Sequence, residues 1–140
     1  MVNHMSVQRR WSHETDLALH KGSASHARAF VALHLRAHDL ATMADDLQLV
    51  VSELVTNAML HAQPPYTVSL RAFETTLRLE MLDGANAEPS MMVAGPLDTY
   101  GRGVMIVQAL SRDWGVLTRT SGGKTVWADF DIPRTYTPAL

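Results

Sequence analysis

Glu53 and Asn57 stand four residues apart in the run Ser52-Glu53-Leu54-Val55-Thr56-Asn57-Ala58. On a helix that spacing brings both side chains onto one face. A carboxylate beside a carboxamide oxygen is a pair of hard donors, suited to a cation such as Mg²⁺ and the water next to it. Asn57 then serves as the metal ligand, and Glu53 polarises an attacking hydroxyl or a metal-bound water. A solvated helix edge also carries such residues. Here, however, Leu54, Val55 and Ala58 set the pair within an apolar stripe, which favours a lined site over a plain surface.

Three later features have chemistry of a compatible kind. Asp83 follows Leu79, Met81 and Leu82 at an expected strand end, where a carboxylate can accept from an exocyclic amine such as adenine N6. The same Asp83-Gly84 pair also reads as a simple turn. Gly101-Arg102-Gly103 is expected to open a helix. Its glycines would let backbone N–H groups reach phosphate oxygens, and Arg102 either pairs with phosphate or points to solvent. Glycines at this spacing also merely punctuate loops. Thr125 follows Gly122-Gly123-Lys124; its hydroxyl can support the base-reading carboxylate, although a β-branched residue at a strand start is ordinary. Taken together, these features suit ATP accompanied by Mg²⁺. His61, Trp114 and Trp127 read as packing residues.

The elements that must position these groups follow from the hydrophobic pattern. Residues 1–10 read as a leader, 11–133 as one domain and 134–140 as a tail. A strand is expected over Trp11–Leu19, then a helix capped by Ser23 or Ser25 and running to about Ala37, with Ala29, Phe30, Leu33 and Ala37 as its buried stripe. The next helix spans about Met43 to Ala62. Asp45 and Asp46 lie in its first turn, Leu47, Val50, Val51, Leu54, Val55 and Ala58 form its apolar face, and Pro64-Pro65 ends it. Alternation predicts strands over Tyr66–Phe73 and Thr76–Leu82, joined tightly at Glu74-Thr75. Asp83 to Thr99 is the longest irregular stretch. A helix over about Gly101–Ser111 and a hairpin of Trp114–Thr120 with Lys124–Asp131 complete the series.

Hairpin-joined strands with helices gathered elsewhere imply an α+β two-layer sandwich: one mixed, mostly antiparallel sheet with helices on one face. The order lacks the alternation of a Rossmann fold, and GxxxxGK[ST] is absent. Composition agrees with a packed domain, at 46% hydrophobic and 19% charged residues over 140. A formal charge of -2 gives no electrostatic footprint for nucleic acid. The seven histidines have no zinc-binding spacing, and there is no cysteine for a disulfide or a thiol nucleophile. No apolar run approaches a membrane span, so a cytoplasmic protein is expected.

The four motifs, in this order, resemble those of the Bergerat-fold (GHKL) ATPases, and more narrowly their anti-sigma-factor serine/threonine kinase branch. Residues 52–58 with His61-Ala62 match the N box of that branch. Asp83 stands for the G1 box, Tyr100-Gly101-Arg102-Gly103-Val104 for the G2 box, and Gly123-Lys124-Thr125-Val126-Trp127 for the closing strand. The resemblance implies ATP and Mg²⁺ held between helices and sheet under a lid from the loop before Gly101. Asn57 would hold Mg²⁺, Glu53 would act as base, Asp83 would read adenine, and Gly101 and Gly103 would line the phosphates. It also implies two partners, a sigma factor and a small antagonist phosphorylated on serine or threonine, and it makes a homodimer plausible. Asp83-Gly84-Ala85-Asn86 departs from the superfamily's Asp-x-Gly-x-Gly, which leaves a non-catalytic nucleotide-binding clamp as the alternative. The chain shows no dimerising helix pair bearing an acceptor histidine, so a complete histidine kinase is not expected.

Overall fold

The computed structural model describes residues 10–18, 22–62, 64–84, 99–120, 122–134 and 136, with the side chains of His61 and of residues 99–103 outside the description. In chain order the elements are β1 (Trp11–Leu17), α1 (Ser23–Ala37), a 3₁₀ turn (Ala41–Met43), α2 (Ala44–His61), β2 (Tyr66–Ala72), β3 (Thr76–Leu82), α3 (Thr99–Leu110), β4 (Asp113–Thr118) and β5 (Lys124–Asp131). The strands form one sheet in the order β1-β2-β3-β5-β4. Every pairing is antiparallel, so the sheet expected to be mixed is antiparallel throughout among the described residues. Each neighbouring pair but β1–β2 and β3–β5 is a hairpin, and hairpins impose antiparallel pairing.

Strand alternation decides which residues meet the helices. Val68 and Leu70 of β2, Leu77, Leu79 and Met81 of β3, and Ala128 and Phe130 of β5 are buried in one cluster with Val31 and Leu35 of α1 and Leu47, Val50 and Val51 of α2. All six aliphatic positions expected to form the inner face of α2 are buried. The opposite sheet face is polar. There Arg78 donates from Nε and Nη2 to the two carboxylate oxygens of Asp129, at 2.7 and 2.9 Å, and its guanidinium lies 4.3 Å from the Trp127 ring centre. Burial and the Asp129 bond pull on the Arg78 pKa in opposite senses; the bond is the larger effect, and the guanidinium is raised.

The stripe of α1 differs from the expected one. Ala27, Phe30, Val31 and Leu35 face the core, whereas Ala29 and Ala37 are exposed and Leu33 is 55% exposed. Both sets have helical spacing and similar composition. Packing between α2 and the edge strand β1, which composition cannot register, selects the one with the β-branched Val31. The expected serine cap is also replaced. Gly22 occupies the N-cap without a side-chain bond, and the Ser23 hydroxyl instead donates to the Ala18 carbonyl, tying β1 to the helix. The β1 strand ends at Leu17 rather than Leu19, and β4 starts one residue earlier and ends two earlier than expected.

Candidate functional site

α2 carries Glu53 and Asn57 past the end of β3, and two hydrogen bonds to α1, with a third inside α2, fix the turn before them. Arg28 Nη1 donates to Ser52 Oγ at 3.0 Å, Ser52 Oγ donates to the Gln48 carbonyl at 3.0 Å, and Gln48 Nε2 donates to the Arg28 carbonyl at 3.1 Å. Asn57 lines a pocket whose apolar walls include Leu54, Val107, Trp114 and Val126. Its remaining polar lining is Asp83 and Lys124. The enclosed space is about 30 Å³, room for a water or two. Glu53 is half-buried one turn earlier and lies outside this lining.

Asn57 Oδ1 is buried and has no hydrogen-bond partner among the described residues. An orphaned buried carbonyl costs free energy, and such atoms in folded proteins point to a ligand, an ion or a water. Among the described residues no group of three or more His, Cys, Asp or Glu side chains could hold a metal. One carboxamide oxygen nevertheless fits Mg²⁺, which is commonly held by one or two protein groups, with phosphate oxygens and waters completing its octahedron.

Asp83 sits immediately beyond β3 and is held from three sides. Its N–H donates to the Lys124 carbonyl at 3.0 Å, its carbonyl accepts from Arg119 Nη2, and its Oδ2 accepts from Lys124 Nζ at 2.9 Å. The pair is withdrawn from solvent, with side chains 2% and 8% exposed. Nearby, burial and then the Asp83 charge raise the pKa of the Tyr66 phenol, whose hydroxyl donates to the Ala62 carbonyl at 3.1 Å. Gly84 serves close approach rather than a left-handed turn: a Cβ there would collide with Pro64 and Pro65.

The Thr125 hydroxyl accepts from Arg119 Nη1 at 3.0 Å, and the Asp83 carboxylate accepts from Lys124. Register places Lys124 there. Thr125 pairs with Leu82, and Val126 with Met81, so on a strand of period two Lys124 shares the inner face with Met81 and Asp83. Lys124 and Arg119 are the residues that sequence reasoning missed. The signal for Lys124 was this alternation; Arg119 had none, because its bonds run across the 119–124 turn to a strand distant in sequence. Gly123 at φ +83 lets that turn close, since a Cβ there would strike Arg119 and the Asp83 carbonyl.

Gly101, Arg102 and Gly103 lie near the start of α3, which begins at Thr99, two residues before the expected start. Two glycines weaken a helix by about 1 kcal/mol each relative to alanine without preventing it. The Arg102 side chain and the lid expected between Asp83 and Thr99 fall outside the described residues, apart from Asp83, Gly84 and the first turn of α3. Trp114 packs in the pocket wall and Trp127 on the open face, where a Cβ at Gly115 would collide with its ring.

The described residues form an open antiparallel sheet covered on one side by three helices, with a pocket between α2, α3 and the sheet. Residues 17–130 match the family described as histidine kinase-like ATPase domain, and the chain belongs to that family. A comparison with curated proteins found no match. No helix among the described residues is long and apolar enough to cross a membrane.

Proposed function

We propose that this domain is an ATP- and Mg²⁺-dependent protein serine/threonine kinase that phosphorylates a small antagonist protein in the control of a sigma factor. The carrying observation is the buried Oδ1 of Asn57, without a hydrogen-bond partner among the described residues, in the pocket that Asp83 also lines. Asn57 holds the Mg²⁺ that travels with the triphosphate; bound there, the cation neutralises charge on the phosphate oxygens. Asp83 orients the base by accepting from its exocyclic amine. Gly101 and Gly103 admit the phosphates to the backbone N–H groups at the start of α3, and Arg102 adds positive charge. Glu53 takes the proton of the acceptor hydroxyl as its oxygen bonds to the γ-phosphorus and the bond to the β-phosphate oxygen breaks, leaving ADP.

A second reading, a nucleotide-binding clamp without turnover, has one observation in its favour: Asp83-Gly84-Ala85-Asn86 departs from the Asp-x-Gly-x-Gly of the superfamily it resembles. The two readings part in one experiment. The chain is incubated with Mg²⁺, γ-labelled ATP and proteins captured from native lysate. Label appearing on serine or threonine of a captured small protein supports the kinase. Stable capture with no transfer supports the clamp, and transfer undiminished by Asn57→Ala refutes the assigned site.

A further inference from the structure

The Asp83–Lys124 pair places a donor against the carboxylate assigned to the base, and no role has been given to that donor. Nζ lies 2.9 Å from Oδ2, within the lining of the same pocket. An ammonium has three N–H donors, so the bond to Asp83 leaves Lys124 able to donate further. The lysine is anchored by strand position, not by chance rotation. β5 begins at Lys124, its carbonyl accepts both the Asp83 N–H and Arg119 Nη1 at 3.0 Å, and strand parity turns its side chain to the helix-covered face.

We infer that Lys124 is a specificity-determining residue of the nucleotide site, donating to the purine ring nitrogen that flanks the exocyclic amine read by Asp83. The inference rests on the nucleotide reading above and extends it. Adjacent acceptor and donor on the protein match the adjacent amine and ring nitrogen (N1 or N7) of adenine. With Asp83 opposite the substituent at C6, guanine presents the wrong senses at C6 and N1: O6 would face the carboxylate, and N1–H would face the ammonium. A carboxylate alone recognises only the amine; the couple recognises the amine together with its neighbour. The present space holds a water or two, so a base that reaches the Asp83 carboxylate must either bond to the ammonium or displace it.

The test is calorimetric titration of the full chain with Mg²⁺ and ATP, 1-deaza-ATP, 7-deaza-ATP, purine riboside triphosphate and GTP. In the native protein one of the two deaza analogues should bind about 10- to 100-fold more weakly than ATP, the range for a hydrogen bond to a charged group. GTP should be weaker still. In Lys124→Met that deaza penalty should vanish, while the penalty for purine riboside triphosphate, which lacks the amine, should persist. The native-protein titrations decide the matter even where the variant fails to fold. ATP binding with no penalty for either deaza analogue would overturn the role of Lys124 and leave the nucleotide site standing. No binding of any adenine nucleotide would overturn both.

Discussion

Lys124 Nζ donates to Asp83 Oδ2 across 2.9 Å within a site where both residues are nearly withdrawn from solvent. A paired buried charge is often no better than an apolar substitute, yet removing one partner leaves the other desolvated and alone, at about 3–5 kcal/mol. Asp83→Ala and Lys124→Met should therefore each lower the unfolding free energy by an amount of that order, read as a lower denaturant midpoint. The double variant should be less destabilised than the sum of the two. Additive losses in urea unfolding would show that the two groups do not act as a pair.

Asn57 presents the opposite balance. Its Oδ1 makes no hydrogen bond among the described residues, so truncation gives up no bond at that atom. Asn57→Ala should leave the thermal midpoint unchanged or slightly raised, while Mg²⁺-dependent nucleotide affinity falls at least about tenfold, roughly 1.4 kcal/mol. A site that stabilises its own removal is the expected signature of a residue kept for binding. Differential scanning calorimetry with parallel titration, with and without Mg²⁺, reads both effects. Unaltered Mg²⁺ dependence would dismiss Asn57 as the ligand.

Glu53, the proposed base, lies one helical turn from Asn57, half-buried and outside the pocket lining. Glu53→Gln keeps the volume and removes the proton-accepting carboxylate. Single-turnover transfer should fall by about 10²–10⁴, the usual contribution of a general base, with nucleotide affinity within about threefold of native. Equal losses of binding and transfer would argue for a structural part instead.

The inner face of α2 was legible because Leu47, Val50, Val51, Leu54, Val55 and Ala58 leave no competing stripe on that helix. The strands and their hairpins were legible from alternation, and β3 falls on Thr76–Leu82 as its pattern requires. α1 was misread because its alanines and leucines lie on more than one face, and only contact with β1 and α2 chooses among them. The same limit applies at the site. Glu53, Asn57 and Asp83 announce themselves by type and local context. Lys124 reaches the Asp83 carboxylate through sheet register, and Arg119 reaches Asp83 and Thr125 through a turn closed by Gly123; neither relationship exists until the strands are paired.

The edge of the sheet carries a pH response of its own. His13 on β1 stacks against His34 of α1 with ring centres 3.8 Å apart, Trp11 stacks against His38 at 3.8 Å, and Phe30 meets His34 edge-on at 4.8 Å. His13 Nε2 and His38 Nε2 are 2.9 Å apart, so one must donate and the other accept, and protonating both would set two N–H groups face to face. Burial and then the charges of His13 and His38 lower the pKa of His34. Burial and then His13 lower that of His38, against an opposing pull from Asp39. With folded values below the unfolded value of about 6.5, the unfolded chain binds more protons in the interval between them, so stability rises with pH across it. The contribution is complete above about pH 6.5 and is lost as pH falls from there toward the folded values. Thermal unfolding at pH 7.5 and 5.5 should show a lower midpoint at the acid end. His38→Phe, which keeps a ring against Trp11 and cannot take a proton, should shrink that difference; an equal drop in both proteins would place the response elsewhere.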